Sequence, residues 1–262
     1  MPDPSPAHDA YRPAEIAELI ERAGVAKAAL PAAQMFVLAL LAGAFIGFGA
    51  AAYTMVMTGA DPGHGPSRLL GGLVFSLGLI LVIVGGAELF TGNALMVMAA
   101  VDRRITPAAL LRSWAIVLAG NFAGALALAA AFGQSGLLSG AMGETASRIA
   151  TAKAGLPLWE AFVRANLCNA LVCLAVWLTF AARDVAGKIL AILWPIAGFV
   201  LLGLEHSVAN FFFFPAGILA GAAIPPGAMA ANLAVVILGN VTGGAGGVAL
   251  AYRFAYLPST RA

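Results

Sequence analysis

The stretch Glu88-Leu-Phe-Thr-Gly-Asn93 lies in the middle of a long apolar run, and Glu205-His-Ser-Val-Ala-Asn210 lies in the middle of another. Both stretches have the pattern E-x-x-x-x-N, and in both a glycine stands two positions before the glutamate. A carboxylate and an amide inside an apolar run need protein partners or a cavity, because no water solvates them within a bilayer. These two stretches therefore predict two transmembrane segments that are not continuous helices.

The composition is that of a membrane protein. Of the 262 residues, 61% are hydrophobic and only 10% are charged, whereas soluble domains have about 25% charged residues. Mean hydropathy is +0.94. So few charged side chains cannot cover a soluble globule of this length, which excludes a soluble enzyme, a disordered chain and a nucleic-acid-binding protein. We expect a polytopic protein surrounded by lipid, with Cys168 and Cys173 as small buried side chains rather than a disulfide.

Six apolar stretches predict six transmembrane helices. A helix needs about 20 residues to cross a hydrocarbon core of about 30 Å. As one continuous helix the second stretch would extend about 50 Å, and the fifth would be longer still. A break at the two polar stretches explains both the excess length and the buried polar groups. The six stretches cover residues 32–57, 69–101, 109–132, 161–182, 189–224 and 230–255.

Two pairs of motifs indicate an internal repeat. Besides the two E-x-x-x-x-N stretches, Gly120-Asn-Phe-Ala-Gly124 matches Gly239-Asn-Val-Thr-Gly243. The first pair is separated by 117 positions and the second by 119. Spans one to three therefore resemble spans four to six, and a unit with an odd number of spans reverses its direction in the second copy. We predict an all-α integral membrane fold, an inverted 3+3 repeat with a site at the midplane.

Lysine and arginine residues set the predicted orientation. With the amino terminus inside, ten of the fourteen face the cytoplasm. We therefore expect both termini to be cytoplasmic and the protein to lie in the cell (inner) membrane. Residues 1–31 are expected to form a cytoplasmic tail and an amphipathic helix, 32–255 a six-span domain, and 256–262 a second cytoplasmic tail. The four cations on the other side are Arg68, Arg148, Lys153 and Arg164.

His206 is the strongest candidate for a functional role. A histidine deep in an apolar span either bonds a neighbouring carbonyl or faces a pathway, and its imidazole titrates near neutral pH. It can therefore donate to an anion or transfer a proton. Glu88 and Glu205 could form an acid–base pair, but their matched positions favour carboxylates that accept from unpaired backbone N–H groups. We expect the amides of Asn93 and Asn210 to structure the same loops.

Two further polar residues have open interpretations. Thr91 lies in the break of the second span, where its hydroxyl can bond an anion or its own helix. Lys153 taken alone is typical of a solvated or snorkelling lysine. The sequence has no C-x-x-C, Walker A or G-x-S-x-G motif and no histidine pair at metal-ligand spacing. We therefore predict no catalytic residue, no metal and no cofactor, in a protein that is not an enzyme.

Three motifs together resemble one known family. The motifs are Glu88 to Asn93, Gly203 to Asn210, and Leu167-Cys-Asn-Ala-Leu-Val-Cys-Leu-Ala-Val-Trp177. Over roughly residues 13–255 the chain resembles the formate/nitrite transporter family. The resemblance implies an aquaporin-like six-span fold, a homopentamer with one pore in each subunit, and passage of small monovalent anions such as formate and nitrite.

The resemblance also implies roles for individual residues. His206 matches the central pore histidine of the family, and Thr91 matches the threonine that faces it. Asn169 matches the asparagine of the fourth span, and Lys153 matches the lysine near the outer vestibule, which draws anions in. The anion then crosses a dry constriction and is protonated at His206 and Thr91. The apolar residues that match the two constrictions are Phe75, Leu79, Phe90, Val172 and Phe199.

Three other classes of protein compete with this interpretation. A neutral-solute channel of the aquaporin class, for water or glycerol, is expected to have paired N-P-A motifs, but this chain has Gly92-Asn-Ala94 and Ala209-Asn-Phe211. An integral-membrane enzyme needs a catalytic or metal cluster, and a subunit without a transport role has no use for a polar midplane. The run from Phe211 to Phe214 departs from the family pattern, so the sequence does not choose between formate and nitrite.

Overall fold

The computed structural model describes residues 10–257, and most of these are helical. In chain order the helices are α1 (Pro13–Ala28), α2 (Ala32–Val56), α3 (Gly65–Gly85), α4 (Val97–Val101), α5 (Pro107–Gln134), α6 (Ala141–Ala154), α7 (Leu158–Ala181), α8 (Val185–Leu201), α9 (Ser207–Leu219), α10 (Pro226–Val241) and α11 (Ala251–Tyr256). A short 3₁₀ helix, Gly92–Met96, leads into α4, and a π-helical stretch, Thr242–Leu250, joins α10 to α11. The outer parts of the predicted tails, residues 1–9 and 258–262, lie outside the described residues.

Several helices are long and apolar enough to cross a membrane, which confirms the prediction of a helical membrane protein. The helices with this length and composition are Ala32–Val56, Gly65–Gly85, Pro107–Gln134, Leu158–Ala181 and Pro226–Tyr256. The apolar residues of the second predicted stretch are shared between α3 and Gly92–Val101, and those of the fifth between α8 and α9. Large apolar side chains such as Trp194, which is 68% exposed, cover the outside of the bundle, as expected of a surface in lipid or against a neighbouring subunit.

The two polar stretches begin where a helix ends at a glycine with a left-handed backbone. Gly86 follows α3 at φ +81°, and Gly203 lies two residues after the end of α8 at φ +69°. Only glycine adopts this conformation without a steric penalty, and it stops a helix abruptly. The chain then runs without helical structure to Gly92 in the first half and to Ser207 in the second. The glycines noted before both glutamates therefore end helices.

The two G-N-x-x-G motifs bring helices into close contact. A Cβ atom on Gly124 in α5 would lie 1.9 Å from the carbonyl oxygen of Leu40 in α2. In the second half, a Cβ atom on Gly243 would lie 2.1 Å from the carbonyl oxygen of Asn166 in α7. Backbones that approach this closely exclude any side chain, which is the usual role of small residues between membrane helices.

Two helices outside the long spans pack against the bundle. Helix α1 buries Ile16, Ala17 and Ile20 against the 3₁₀ helix and neighbouring apolar residues. Helix α6 lies within the segment 133–160, which was expected only as a connection on the outer side, and it packs against α9. Both helices carry a lysine into the interior of the bundle, as described below.

Candidate functional site

The two non-helical stretches meet at a buried histidine–threonine pair. His206 Nε2 lies 3.0 Å from Thr91 Oγ1, although the two residues are 115 positions apart. His206 is 3% exposed and Thr91 is 1% exposed. The structure therefore brings together the two polar residues that the sequence placed in different spans.

His206 also caps the helix that follows it. Its Nδ1 accepts the backbone N–H of Ala209 at 3.1 Å, so His206 is the N-cap residue of α9. A nitrogen that accepts carries no proton, and a neutral imidazole then has its proton on Nε2. This hydrogen-bond geometry assigns the tautomer in which Nε2–H donates to Thr91 Oγ1. The Thr91 hydroxyl hydrogen is then available for another acceptor, such as an anion.

A lysine and an asparagine hold the carboxylate of the first stretch. Lys27 Nζ lies 2.7 Å from Glu88 Oε1, and the Asn93 side-chain amide donates to Glu88 Oε2 at 2.8 Å. Lys27 also donates to Asn93 Oδ1 at 3.0 Å. Glu88 is buried, so this ion pair compensates a charge that would be costly on its own.

The second stretch repeats the same arrangement. Lys153 Nζ lies 2.8 Å from Glu205 Oε1, and the Asn210 amide donates to Glu205 Oε2 at 2.8 Å. Lys27, the counterpart of Lys153, was not among the predicted site residues. A signal was present, because Lys27 precedes the first span as Lys153 precedes the fourth. The donors to both glutamates are side chains, and not the backbone N–H groups that we expected.

Two asparagines on long helices satisfy the backbone of the stretches instead. Asn121 Oδ1 accepts the N–H of Phe90 at 2.9 Å, and its amide donates to the carbonyl of Glu88 at 2.9 Å. Asn240 makes the matching contacts in the second half, where its Oδ1 accepts the N–H of Ser207 at 2.9 Å. These are the asparagines of the two G-N-x-x-G motifs. Each motif therefore packs two helices and fixes one non-helical stretch.

Asn169 binds the backbone of Thr91. Its amide donates to the backbone carbonyl of Thr91 at 3.2 Å and to that of Asn240 at 2.6 Å. The thiol of Cys173 lies 3.6 Å from the same Thr91 carbonyl. Asn169 is fully buried, and among the hydrogen bonds of the described residues it has none to His206. Its contacts therefore position the threonine backbone.

One cavity leads from the side of Lys153 to His206. We call this space, about 310 Å³, the Lys153 vestibule; it is bounded at its deep end by Phe75, Phe199 and His206. The Phe199 ring lies nearly parallel to the imidazole, with ring centres 5.8 Å apart and planes at 13°. Phe75 meets Phe199 edge to face at 5.5 Å. Two of the predicted constriction residues thus lie beside the histidine and form an apolar wall of this vestibule.

A second cavity opens on the side of Lys27. This space of about 470 Å³, the Lys27 vestibule, is lined by Lys27, Glu88 and Asn93 and reaches Leu79, a third predicted constriction residue. Phe90 and Val172, the other two, are buried in the same hydrophobic cluster as Leu79 but line neither vestibule in the described part of the chain.

The buried ionisable groups do not form a metal site. Within residues 10–257, no group of three or more His, Cys, Asp and Glu side chains is placed to hold a metal ion. Cys168 and Cys173 are free and buried. The carboxylates of Glu88 and Glu205 are already held by the two lysines. The donors that remain, on Thr91 and the lysines, suit an anion better than a cation.

A bundle of membrane-length helices with two vestibules, one of which reaches a buried histidine–threonine pair, has the architecture of a channel or transporter. A family model described as "Formate/nitrite transporter" matches residues 14–254. The chain therefore belongs to the formate/nitrite transporter family, as its motifs indicated.

Known proteins that resemble the chain are channels and transporters. The "probable formate transporter" of Methanothermobacter thermautotrophicus is 42% identical, and the match covers 97% of each chain. A solved structure titled "Pentameric formate channel with formate bound" is 35% identical with a TM-score of 0.78, and the match covers 87% of this chain and 98% of that one. A second, titled "FNT family ion channel", is 26% identical with a TM-score of 0.85 and corresponding coverage of 92% and 98%.

Proposed function

We propose that this protein passes small monovalent anions, formate and nitrite, across a cell (inner) membrane. Each subunit of a homopentamer is expected to contain one pathway. The family supports this proposal, and so does the similarity to a pentameric channel that was solved with formate. The donors around Thr91 and His206 suit both anions, so both are substrates in this proposal.

The pathway is proposed to run through an inverted repeat of six spans, of which the second and fifth are broken. Matched features in the two halves support this arrangement. Each half has a left-handed glycine, a Lys–Glu–Asn network and an asparagine that binds the non-helical backbone. In an inverted repeat the site lies between the two halves, and the equivalent features of this chain support a site there.

The observation that carries the proposal is the position of the His206–Thr91 pair. It is nearly inaccessible, and the Lys153 vestibule ends at His206 itself. The Lys27 vestibule is lined by Leu89 and Gly92, which lie close to Thr91 in the chain. Each vestibule has a lysine whose ammonium has three N–H donors. Lys153 uses one of them on Glu205, and Lys27 uses two, on Glu88 and Asn93, so each lysine retains at least one N–H for an anion.

Proton coupling lowers the cost of the dry segment in this proposal. A bare anion beside Phe75 and Phe199 loses hydration energy of several kcal/mol or more. A proton that reaches the imidazole of His206 can pass, by way of Thr91, to the bound anion. Formic acid or nitrous acid then crosses as a neutral molecule, and one proton accompanies each anion.

Flux measurements with purified protein in liposomes test the proposal. The panel contains formate, nitrite, chloride and glycerol. We expect saturable flux of formate and nitrite and little flux of glycerol. Glycerol flux without anion flux would instead support a neutral-solute channel of the aquaporin class, and the anion proposal would be wrong.

A further inference from the structure

The charge of Lys153 is largely compensated within the site. Its ammonium lies 2.8 Å from Glu205, and the two side chains are only 14% and 4% exposed. A close pair of opposite charges has a weak field at a distance, so it attracts an approaching anion much less than a lone lysine does. Any long-range attraction into the Lys153 vestibule must therefore come from other residues.

Three arginines line the same vestibule. Arg68 comes from α3, Arg148 from α6 and Arg164 from α7. Arg164 lies 3.1 Å from Glu160, so its charge is partly compensated. Among residues 10–257, no Asp or Glu lies within ion-pair distance of Arg68 or Arg148. Arg68 and Arg148 are therefore the main source of uncompensated positive charge in the vestibule.

Gly203 brings two of the guanidinium groups together. The Arg68 guanidinium lies so close that a Cβ atom on Gly203 would be 2.4 Å from its Nη2. Arg164 Nη1 donates to the carbonyl of Gly203 at 3.5 Å. Gly203 is three residues before His206, so both groups lie near the end of the vestibule that is formed by Phe75, Phe199 and His206. The third guanidinium, Arg148, is held at its Nη2 by the hydroxyl of Thr145 at 2.9 Å.

We propose, on the basis of the anion passage proposed above, that Arg68 with Arg148 and Arg164 forms an anion-binding site in the Lys153 vestibule. The site takes planar oxyanions, carboxylates or nitrite, before they reach Phe75 and Phe199. A guanidinium group binds two oxygens of one planar anion at the same time, and a spherical halide cannot use this geometry. The arginines therefore supply both the attraction and a preference for oxyanions.

Substitution of Arg68 separates this role from that of Lys153. In liposomes at about 10 mM ionic strength, where charges act over about 30 Å, Arg68→Gln should raise the half-saturating formate concentration several-fold. The effect should shrink at high salt. Arg148 is exposed, and within residues 10–257 its side chain makes one hydrogen bond, to Thr145, so Arg148→Gln should fold normally. It should raise the half-saturating formate concentration as Arg68→Gln does. Arg112→Gln is the matched control, because it removes an equal charge from an exposed position outside the vestibule.

Arg68→Lys tests the geometric part of the proposal. The lysine keeps the charge, so the salt dependence should remain, whereas the preference for formate over chloride should fall. If parent protein has no anion flux, the proposed function fails. If the parent protein conducts formate but Arg68→Gln and Arg148→Gln have the same half-saturating formate concentration as Arg112→Gln at low ionic strength, the proposed arginine site is wrong. An unchanged formate-to-chloride preference in Arg68→Lys would overturn oxyanion recognition.

Discussion

At the scale of single residues, His206 combines two functions in one ring. Nδ1 caps α9 and Nε2 faces Thr91, so the side chain is fixed from both ends. A second proton on the ring would place an N–H against the N–H of Ala209 and remove the cap. Protonation at this position is therefore linked to the end of a helix that lines the Lys153 vestibule.

Replacement of His206 by Asn separates the cap from the proton. Asparagine is a good N-cap residue and still offers a donor to Thr91, so the fold should be kept. The side chain no longer titrates, so we expect proton uptake to be lost from formate flux, or flux itself to be strongly reduced. The measurement is proton uptake together with formate flux in liposomes. His64→Asn, at an exposed histidine, is the control; unchanged stoichiometry in His206→Asn would rule out the proton relay.

A second prediction at the scale of single residues concerns the Lys153–Glu205 pair. Lys153→Met leaves the buried Glu205 carboxylate without its cation, which costs about 3–5 kcal/mol. We expect a large fall in thermal stability in detergent, along with weaker formate flux. Lys153→Arg should retain more of both. Adding Glu205→Gln to Lys153→Met should restore much of the stability, because the buried carboxylate is then gone. A double variant no more stable than Lys153→Met would show that Lys153 does not compensate the charge of Glu205.

At the scale of helices, contact between backbones explains why two sequence motifs recur. In α5 and α10 a glycine lets a neighbouring helix approach, and the asparagine beside it reaches the non-helical stretch. A larger residue at the glycine would push away both the neighbouring helix and the asparagine. Packing of the long helices is therefore coupled directly to the geometry of the site.

Gly124→Ala and Gly133→Ala on α5 test this coupling. A Cβ atom at Gly124 meets a backbone oxygen at 1.9 Å, whereas one at Gly133 meets only the flexible end of Leu219 at 3.1 Å. Overpacking should cost Gly124→Ala about 1–3 kcal/mol. Gly133→Ala should be close to neutral, because alanine also favours a helix. The measurement is thermal unfolding in detergent, and equal stabilities would show that α2 and α5 are not in rigid contact.

At the scale of the whole molecule, the two vestibules have different sets of charged lining residues. Besides its Lys153–Glu205 pair, the Lys153 vestibule is lined by three arginines. Among the described residues, the Lys27 vestibule has one further charged residue, Lys188, besides its Lys27–Glu88 pair. The electrostatic fields inside the two vestibules therefore differ. The direction of this asymmetry in a cell depends on the orientation of the protein.

Cysteine labelling tests the predicted orientation. Arg103→Cys should react with a membrane-impermeant thiol reagent only from the cytoplasmic side, and Ser139→Cys only from outside, because of the lysine and arginine distribution. The native Cys168 and Cys173 are buried and should not react. Parent protein supplies the background signal. Labelling of Arg103→Cys only from outside would show that the topology is the opposite of the predicted one.

Much of the helical architecture could be predicted from the sequence because it depends on local patterns. Apolar runs of sufficient length predict membrane helices, and a glycine before a buried carboxylate predicts the end of one. The repeated motifs predicted that His206 and Thr91 belong to related stretches. Helix α6 was missed because residues 141–154 lack the length and apolar character of a span.

Only the tertiary structure decided which distant residues share a site. The partner of Glu88 is Lys27, 61 positions earlier in the chain, and the arginines of the Lys153 vestibule come from three helices. Periodicity records which face of a helix is apolar but not which helix that face meets. The lysine that appeared solvated in the sequence is an ion-pair partner, because packing brings a buried carboxylate to it and burial of that charge requires a cation.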